Sequence, residues 1–351
     1  MAIGSSNIRV FCVSPRPRAN DPKAVINGVL QTAHWSEQFG CTGSLIPTSN
    51  DSLFDPWVAT QAVLSETTSF SPLVALNPIY MHPFTAAKIV SSLTYLYSRR
   101  IYINLVAGAA LSHQRALNDD LDHDARYRRL TEFTDLLIDL LARPAPVSFQ
   151  GDFFTTRSLQ LLNRPPAHFF PEFLMAGQSN SAWSLAQRCG GTLMQMLQPS
   201  MAAGVSSNGV YFGLITRPTE ESARAAAHSL FPDDADGHLV LDFSMRNTDS
   251  QWKNRMKVFG TESTSIASTG FWTGPFANYR SDGPWVVGSY ERAADLVYQL
   301  LHHGVDTFIL ELVPDKREYE HASFVFEQAR ARLNATEAAA TEHKPSIGSK
   351  V

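Results

Sequence analysis

The stretch "SPLVALNPIYMHPFTAAKIVSSLTYLYSRRIYINLVAG" (residues 71–108) decides the architecture. Its two ends, "SPLVALN" (71–77) and "IYINLVAG" (101–108), are short runs of nearly continuous apolar character. Strands buried on both faces read this way, as in a parallel sheet covered by helices. Between them, residues 82–98 carry a helical pattern with a proline near the start, where its missing N–H costs nothing. Two such strands joined through a helix make the unit of a parallel sheet.

The same rhythm extends in both directions. Further strands are predicted at 8–14 ("IRVFCVS"), 43–48, 173–177 ("FLMAG"), 191–197, 209–216 ("GVYFGLIT") and 306–314 ("DTFILELVP"). Helices are predicted over 22–39, 57–66, 125–142, 179–189, 219–231, 290–304 and 318–333, with a short hairpin at 147–156 turning at Gly151. Eight strands alternating with amphipathic helices favour a closed (β/α)8 barrel of the TIM type over an open sheet. No Gly-x-Gly-x-x-Gly follows the first strand, which argues against a dinucleotide-binding sheet. The expectation is a single α/β barrel domain over 1–333 and a disordered tail over 334–351. Two features break the rhythm. Residues 198–208 make a shortened connection between the sixth and seventh strands, and 232–284 make a long irregular insertion, read as a lid, with a short helix within 245–259.

Bulk properties exclude several classes. A chain of 351 residues, 44% hydrophobic and 18% charged, has the composition of an ordinary globular protein. A net charge of −4 without a basic stripe gives no support to nucleic-acid binding. Cys12, Cys41 and Cys189 lie far apart and are odd in number, so they read as reduced thiols rather than a disulfide framework or a metal site. No signal peptide and no membrane span is evident, and the predicted location is the cytoplasm.

Four segments in succession, "CTGSLIPT" (41–48), "LVALNP" (73–78), "INLVAG" (103–108) and "LDHDARYRRLTEF" (121–133), together with "VVGSYERAADLV" (286–297) and "HGVDTFIL" (303–310), resemble the bacterial-luciferase-like flavin monooxygenases. Within that superfamily the chain most resembles the alkanesulfonate monooxygenase branch. The resemblance implies a barrel with flavin at the C-terminal mouth, and reduced FMN supplied by a separate NAD(P)H:flavin reductase. It also implies O2 as co-substrate and a homodimer or homotetramer. By the same resemblance, His123, Tyr127, Gly177, Gln178 and Ser179 are placed at the flavin phosphate or ribityl chain. A helix N-terminus with hydroxyl donors suits such an anion. Ala75 and Asn104 are placed beside the flavin ring.

The branch's substrate-handling residues are not kept. Its cysteine after the second strand falls in "TSNDSLFDPW" (48–57), which has none, and its N-terminal histidine falls on Pro17. The arginine and histidine of its seventh strand fall on Tyr211 and Gly213, and its late tyrosine on Val313. Sulfonate recognition wants convergent cations and donors, so an alkanesulfonate is excluded as substrate. The catalytic candidates are Arg280, which matches the branch's loop arginine, Tyr211 and Asn77; Arg16, Arg18 and His82 are further polar candidates. Phe54, Trp57, Phe271 and Trp272 suggest an apolar or aromatic substrate. The leading expectation is a monooxygenase using reduced FMN and O2 on a specialised-metabolite substrate, carried on a carrier protein in one version. The alternatives are a deazaflavin-dependent hydride-transfer enzyme and a non-catalytic flavin-binding relative. No metal is expected.

Overall fold

The computed structural model describes residues 3–4, 8–13, 21–177, 179–199, 207–261 and 269–342. Strand β1 (Arg9–Val13) is followed by α1 (Pro22–Gln38), β2 (Gly43–Ile46), α2 (Pro56–Glu66), β3 (Leu73–Leu76), α3 (Pro83–Tyr97) and β4 (Tyr102–Leu105). Next come α4 (Leu111–Ala116), α5 (His123–Ala142), the hairpin β5 (Val147–Gln150) and β6 (Thr155–Leu159), then β7 (Glu172–Ala176), α6 (Asn180–Cys189) and β8 (Thr192–Met196). The chain continues through β9 (Gly209–Arg217), α7 (Glu220–Leu230), α8 (Ala235–Arg246), α9 (Gln251–Thr261), β10 (Phe271–Trp272) and the single turn α10 (Gly274–Ala277). It closes with β11 (Trp285–Ser289), α11 (Tyr290–His302), β12 (Thr307–Glu311) and α12 (Lys316–Glu342).

The parallel strands run in the order β9-β12-β1-β2-β3-β4-β7-β8, and β8 pairs back onto β9 to close the barrel. Local chemistry sets the helix starts. Asp21, Asp55, His82, Asp122, Ser179 and Thr219 each turn a side chain back onto a first-turn backbone N–H. The interior is plugged by one cluster of Phe11, Leu73, Tyr102, Leu174, Met194, Tyr211 and Ile309, with Leu45 packed against it. Each of the eight barrel strands therefore sends one side chain inward, and the barrel is a packed core rather than a pore. Two larger apolar clusters sit outside it, between strands and helices.

Three details depart from the sequence reading. A ninth strand, β11, runs parallel to β9 along Gly213–Arg217, while β8 holds the same edge at Gly209–Tyr211. The sheet therefore splits at Tyr211–Gly213. "WVVGS" escaped notice because so short an apolar run, wedged between an irregular segment and a helix, shows no periodicity. The insertion over 232–284 is also more regular than its composition suggests. It holds α8 and α9, separated by Asn247–Ser250, so the helix expected within 245–259 begins only at Gln251. Finally, α12 runs on through 334–342, inside the segment expected to be a disordered tail. Its sequence "NATEAAATE" is polar but alanine-rich, and alanine is the best helix former; low burial removes packing, not propensity. Of the connection at 198–208, residues 200–206 lie outside the described residues.

One buried charge joins three of these parts. Arg126 on α5, 2% exposed, donates from Nε to the carbonyl of Gly108 at 3.1 Å and from Nη1 to that of Leu121 at 2.8 Å. Its Nη2 holds Asp249, in the joint between α8 and α9. A buried cation stripped of its carboxylate is left uncompensated. Asp249→Ala should therefore cost about 2–3 kcal/mol, below the 3–5 kcal/mol of a fully buried pair because Asp249 keeps some solvent. Urea denaturation of the variant, with an unchanged slope, measures it.

Candidate active site

A cavity of about 1240 Å³ opens at the C-terminal ends of the barrel strands. Pockets for one small ligand occupy roughly 300–1,000 Å³, so there is room here for a cofactor and a substrate together. Strand ends Thr48, Asn77, Gly108, Ala176, Tyr211 and Glu311 line it from below. The insertion lines it from the side with Phe243, Trp252, Lys253, Tyr279 and Arg280. Loop residues past β2, β3 and β4 are tied at the rim: Tyr80 donates to Asn50 Oδ1 at 2.6 Å, Asn50 Nδ2 to the His113 carbonyl at 3.1 Å, and the His113 ring meets Asp51 at 2.9 Å.

Beside the cavity, behind Ala176, four of the five residues expected at the cofactor phosphate come together: His123, Tyr127, Gly177 and Ser179. Helix α5 is regular from His123, so His123 and Tyr127 sit on adjacent turns, with ring centroids 5.0 Å apart. His123 Nδ1 also meets Asp124 at 3.0 Å. Burial pushes the Tyr127 phenol up, and a hydrogen bond with the Ser179 side chain offsets part of that rise. Ser179 caps α6, its Oγ accepting from Ala182 N at 3.2 Å. Between them lies Gly177, where a Cβ would stand 2.4 Å from Ala182 Cβ and 3.3 Å from Tyr127 Oη. The corner is thus a bare backbone at a helix N-terminus, flanked by two hydroxyls, which suits an anion. Ala176 lines the cavity beside it. Gln178 lies outside the described residues.

Ala75 and Asn104 are register partners on β3 and β4. Ala75 is buried and small, and Asn104 faces the cavity with Oδ1 buried and without a hydrogen-bond partner among the described residues. A buried acceptor left unsatisfied in this way is costly unless a ligand completes it.

The catalytic candidates do not form one group. Tyr211 donates its hydroxyl to Glu311, whose other oxygen accepts from Trp285 Nε1 at 3.1 Å. Two bare positions make room for these rings: a Cβ at Gly213 would fall 2.2 Å from the Trp285 ring, and one at Gly283 would fall 2.1 Å from the Tyr211 ring. Arg280 lines the cavity from the insertion, with Nε 4.0 Å from Asp234. Asn77 lines it from the end of β3. His82 is a helix cap, its Nδ1 accepting from Phe84 N at 3.1 Å, and its ring stacks edge-on to Phe154. Of the four aromatic candidates only Phe54 lines the cavity; Trp57, Phe271 and Trp272 pack in apolar clusters. Arg16, Pro17 and Arg18 lie outside the described residues.

Sequence reasoning passed over Glu311, Arg126 and the pair of Arg129 with Asp119, which lines the cavity at 2.7 Å. Glu311 had a signal. It is the one charged residue in the apolar run "TFILELV", at the strand end where barrel enzymes carry their chemistry. Arg126 was hidden in a basic run, "RYRR", that reads as a solvated helix face.

A large cavity at the C-terminal mouth of a barrel, with a corner suited to an anion beside it, is the setting in which barrel enzymes hold their ligands. Residues 7–307 match the family model described as luciferase-like monooxygenase, and the chain belongs to that family of flavin-dependent oxidoreductases. It is 27% identical over 319 residues to the 4-(gamma-L-glutamylamino)butanoyl-[BtrI acyl-carrier protein] monooxygenase BtrO of Niallia circulans, covering 88% of this chain and 93% of that one. Among solved structures it is similar to EDTA monooxygenase from Chelativorans sp. BNC1, with a TM-score of 0.71 at 15% identity over 93% of this chain and 94% of that one. It is also similar to the oxygenating component of 3,6-diketocamphane monooxygenase from Pseudomonas putida, solved with FMN, at a TM-score of 0.68 and 12% identity over 93% and 99% of the two chains.

The raised phenol gives a prediction. A group whose folded pKa lies above its free value contributes stability that is fully present below the free value and is lost as pH rises from there through the folded pKa. Relative to Tyr127→Phe, the wild type should therefore lose stability above pH 10, the ordinary tyrosine value. An ultraviolet difference titration should place the Tyr127 phenolate later than the exposed tyrosines.

Proposed function

We propose that this enzyme is the oxygenating component of a two-component system, and that it oxygenates an acyl group tethered to a carrier protein, not an alkanesulfonate. Reduced FMN, delivered by a separate NAD(P)H:flavin reductase, is the cofactor, and O2 the co-substrate. The observation that carries the cofactor reading is the corner of Tyr127, Ser179 and bare Gly177, with the unsatisfied Asn104 Oδ1 in the adjoining cavity. The phosphate would lie at Tyr127, Ser179 and Gly177 with His123 beside it, and the ring against Ala75 with its polar edge toward Asn104. When bound, reduced FMN supplies the activation of dioxygen.

The remaining work falls to the chain. The insertion lines the cavity with Phe243, Trp252 and Tyr279, and its role would be to exclude water from it. Tyr211 is held by Glu311 in one orientation on the cavity wall. Arg280 and Asn77 orient the substrate from opposite sides of the mouth. The carrier-bound substrate is supported by the likeness, over nearly the whole of both chains, to BtrO, a monooxygenase of an acyl group on an acyl-carrier protein. It also fits a large cavity at an open strand-end face, where a tethered group enters without its carrier. No helix among the described residues is long and apolar enough to cross a membrane. On the family resemblance, we place the enzyme in the cytoplasm as a homodimer or homotetramer.

Losing one hydrogen bond to a charged group costs roughly 1.5–3 kcal/mol. Tyr127→Phe and Ser179→Ala should each weaken reduced FMN binding by about ten- to a hundred-fold, measured by anaerobic fluorescence titration. Unchanged affinity in both variants contradicts the phosphate site, and a preference for a reduced deazaflavin over FMN contradicts the cofactor. The insertion should act as a lid. Shortening 244–284 should leave FMN affinity largely intact while diverting turnover to free hydrogen peroxide, read by a peroxidase-coupled assay.

A further inference from the structure

The cavity wall contains a pair of amide side chains, Asn77, already placed against the substrate, and Gln114, which has no role in the scheme above. Gln114 lies on α4 and Asn77 just past the end of β3, and both line the cavity. Gln114 is 6% exposed, and its Nε2 has no hydrogen-bond partner among the described residues. Asn77 is fixed from the other end, its Oδ1 accepting from Ile79 N at 3.2 Å, which leaves Nδ2 to point away. The two amide nitrogens meet over Gly108. A Cβ built there would be 3.1 Å from Asn77 Nδ2 and 3.4 Å from Gln114 Nε2. Gly108 has φ +84°, a conformation that disfavours a side chain in any case. The two N–H₂ groups thus pack side by side against the bare backbone of Gly108 in the cavity wall, and that of Gln114 is buried and unsatisfied.

Such a pair of neutral donors calls for an acceptor and carries no charge of its own. Arg126 does not meet that need, because it donates to the Gly108 carbonyl oxygen. The pair also differs from the anion corner at Gly177, which lies at a helix N-terminus on other strands. Two neutral donors side by side on a cavity wall suit a carbonyl oxygen. We propose that Asn77 and Gln114 bind the thioester carbonyl of the tethered acyl group and so fix which carbon of the chain faces the cofactor. This rests on the carrier-bound reading of the substrate. Both amides lie beyond the strand positions of Ala75 and Asn104, Asn77 just after β3 and Gln114 on α4, toward the mouth of the barrel.

The test contrasts a carbonyl with a methylene. Calorimetric binding of S-butanoyl-pantetheine is compared with that of S-butyl-pantetheine, and S-ethyl thiobutanoate with ethyl butyl sulfide, on the full-length protein loaded with FMN. The wild type should prefer each thioester over its thioether by about tenfold, the worth of one to two neutral hydrogen bonds. Gln114→Met, similar in shape, should remove most of that preference while leaving FMN affinity within about twofold. If the pantetheine pair fails to bind but the short pair keeps the preference and Gln114→Met abolishes it, the carrier reading falls and the carbonyl site stands. Equal binding of thioester and thioether in both pairs overturns the proposal. So does a Gln114→Met variant whose FMN affinity falls as far as its thioester affinity, because the amide then serves the flavin.

Discussion

The guanidinium of Arg126 is the constraint on which the mouth of the barrel depends. It is almost fully buried, yet it is bound by two backbone carbonyls and one carboxylate. Those three acceptors belong to the end of β4, the entrance of α5 and the joint of the insertion. Gly108 is thereby held in its unusual conformation, and His123 and Tyr127 are presented at a fixed angle on the first turns of α5. Asp249 in turn ties the insertion to the barrel, and Thr248 repeats the tie by donating to the Ala109 carbonyl at 3.0 Å. Desolvating a cation is expensive, and the geometry here answers it with directional partners.

The barrel supplies the rest by division of labour along its axis. The lower interior is filled by one inward side chain from each strand, so the upper interior is free for a site. The split of the sheet beside β9 lets β11 add to one edge, and this brings Trp285 over Gly213 and against Glu311. A carboxylate is thus seated on the wall at Tyr211 and Gly213, where the alkanesulfonate branch carries an arginine and a histidine.

Much of the fold was legible in the sequence because parallel strands buried on both faces leave continuous apolar runs, and their helices leave caps and stripes. The eight barrel strands and the helices between them follow from that pattern alone. The meeting of Tyr127, Gly177 and Ser179 was foreshadowed for a different reason: "LDHDARY" and "AGQSNSAW" resemble segments of the luciferase-like family, and the resemblance places them at one phosphate. What could not be read were contacts between distant segments. The link from Arg126 to Asp249 and that from Tyr211 to Glu311 each join residues roughly a hundred or more positions apart, and neither partner announces the other. His82 shows the converse error. A histidine at a strand-to-helix turn reads equally well as a ligand or as a cap, and its bond to Phe84 N makes it a cap. The α12 extension shows that a polar composition forecasts exposure better than disorder.

The central claim is that this chain inserts one oxygen atom from O2 into a thioester-bound acyl group. It is tested most directly by incubating the protein with photoreduced FMN, isotopically heavy dioxygen and a panel of acyl-pantetheines, then weighing the products by mass spectrometry. The account predicts an acyl product carrying one heavy oxygen, formed only with both FMN and protein present. Unmodified thioesters throughout, with all the dioxygen recovered as hydrogen peroxide, would contradict it.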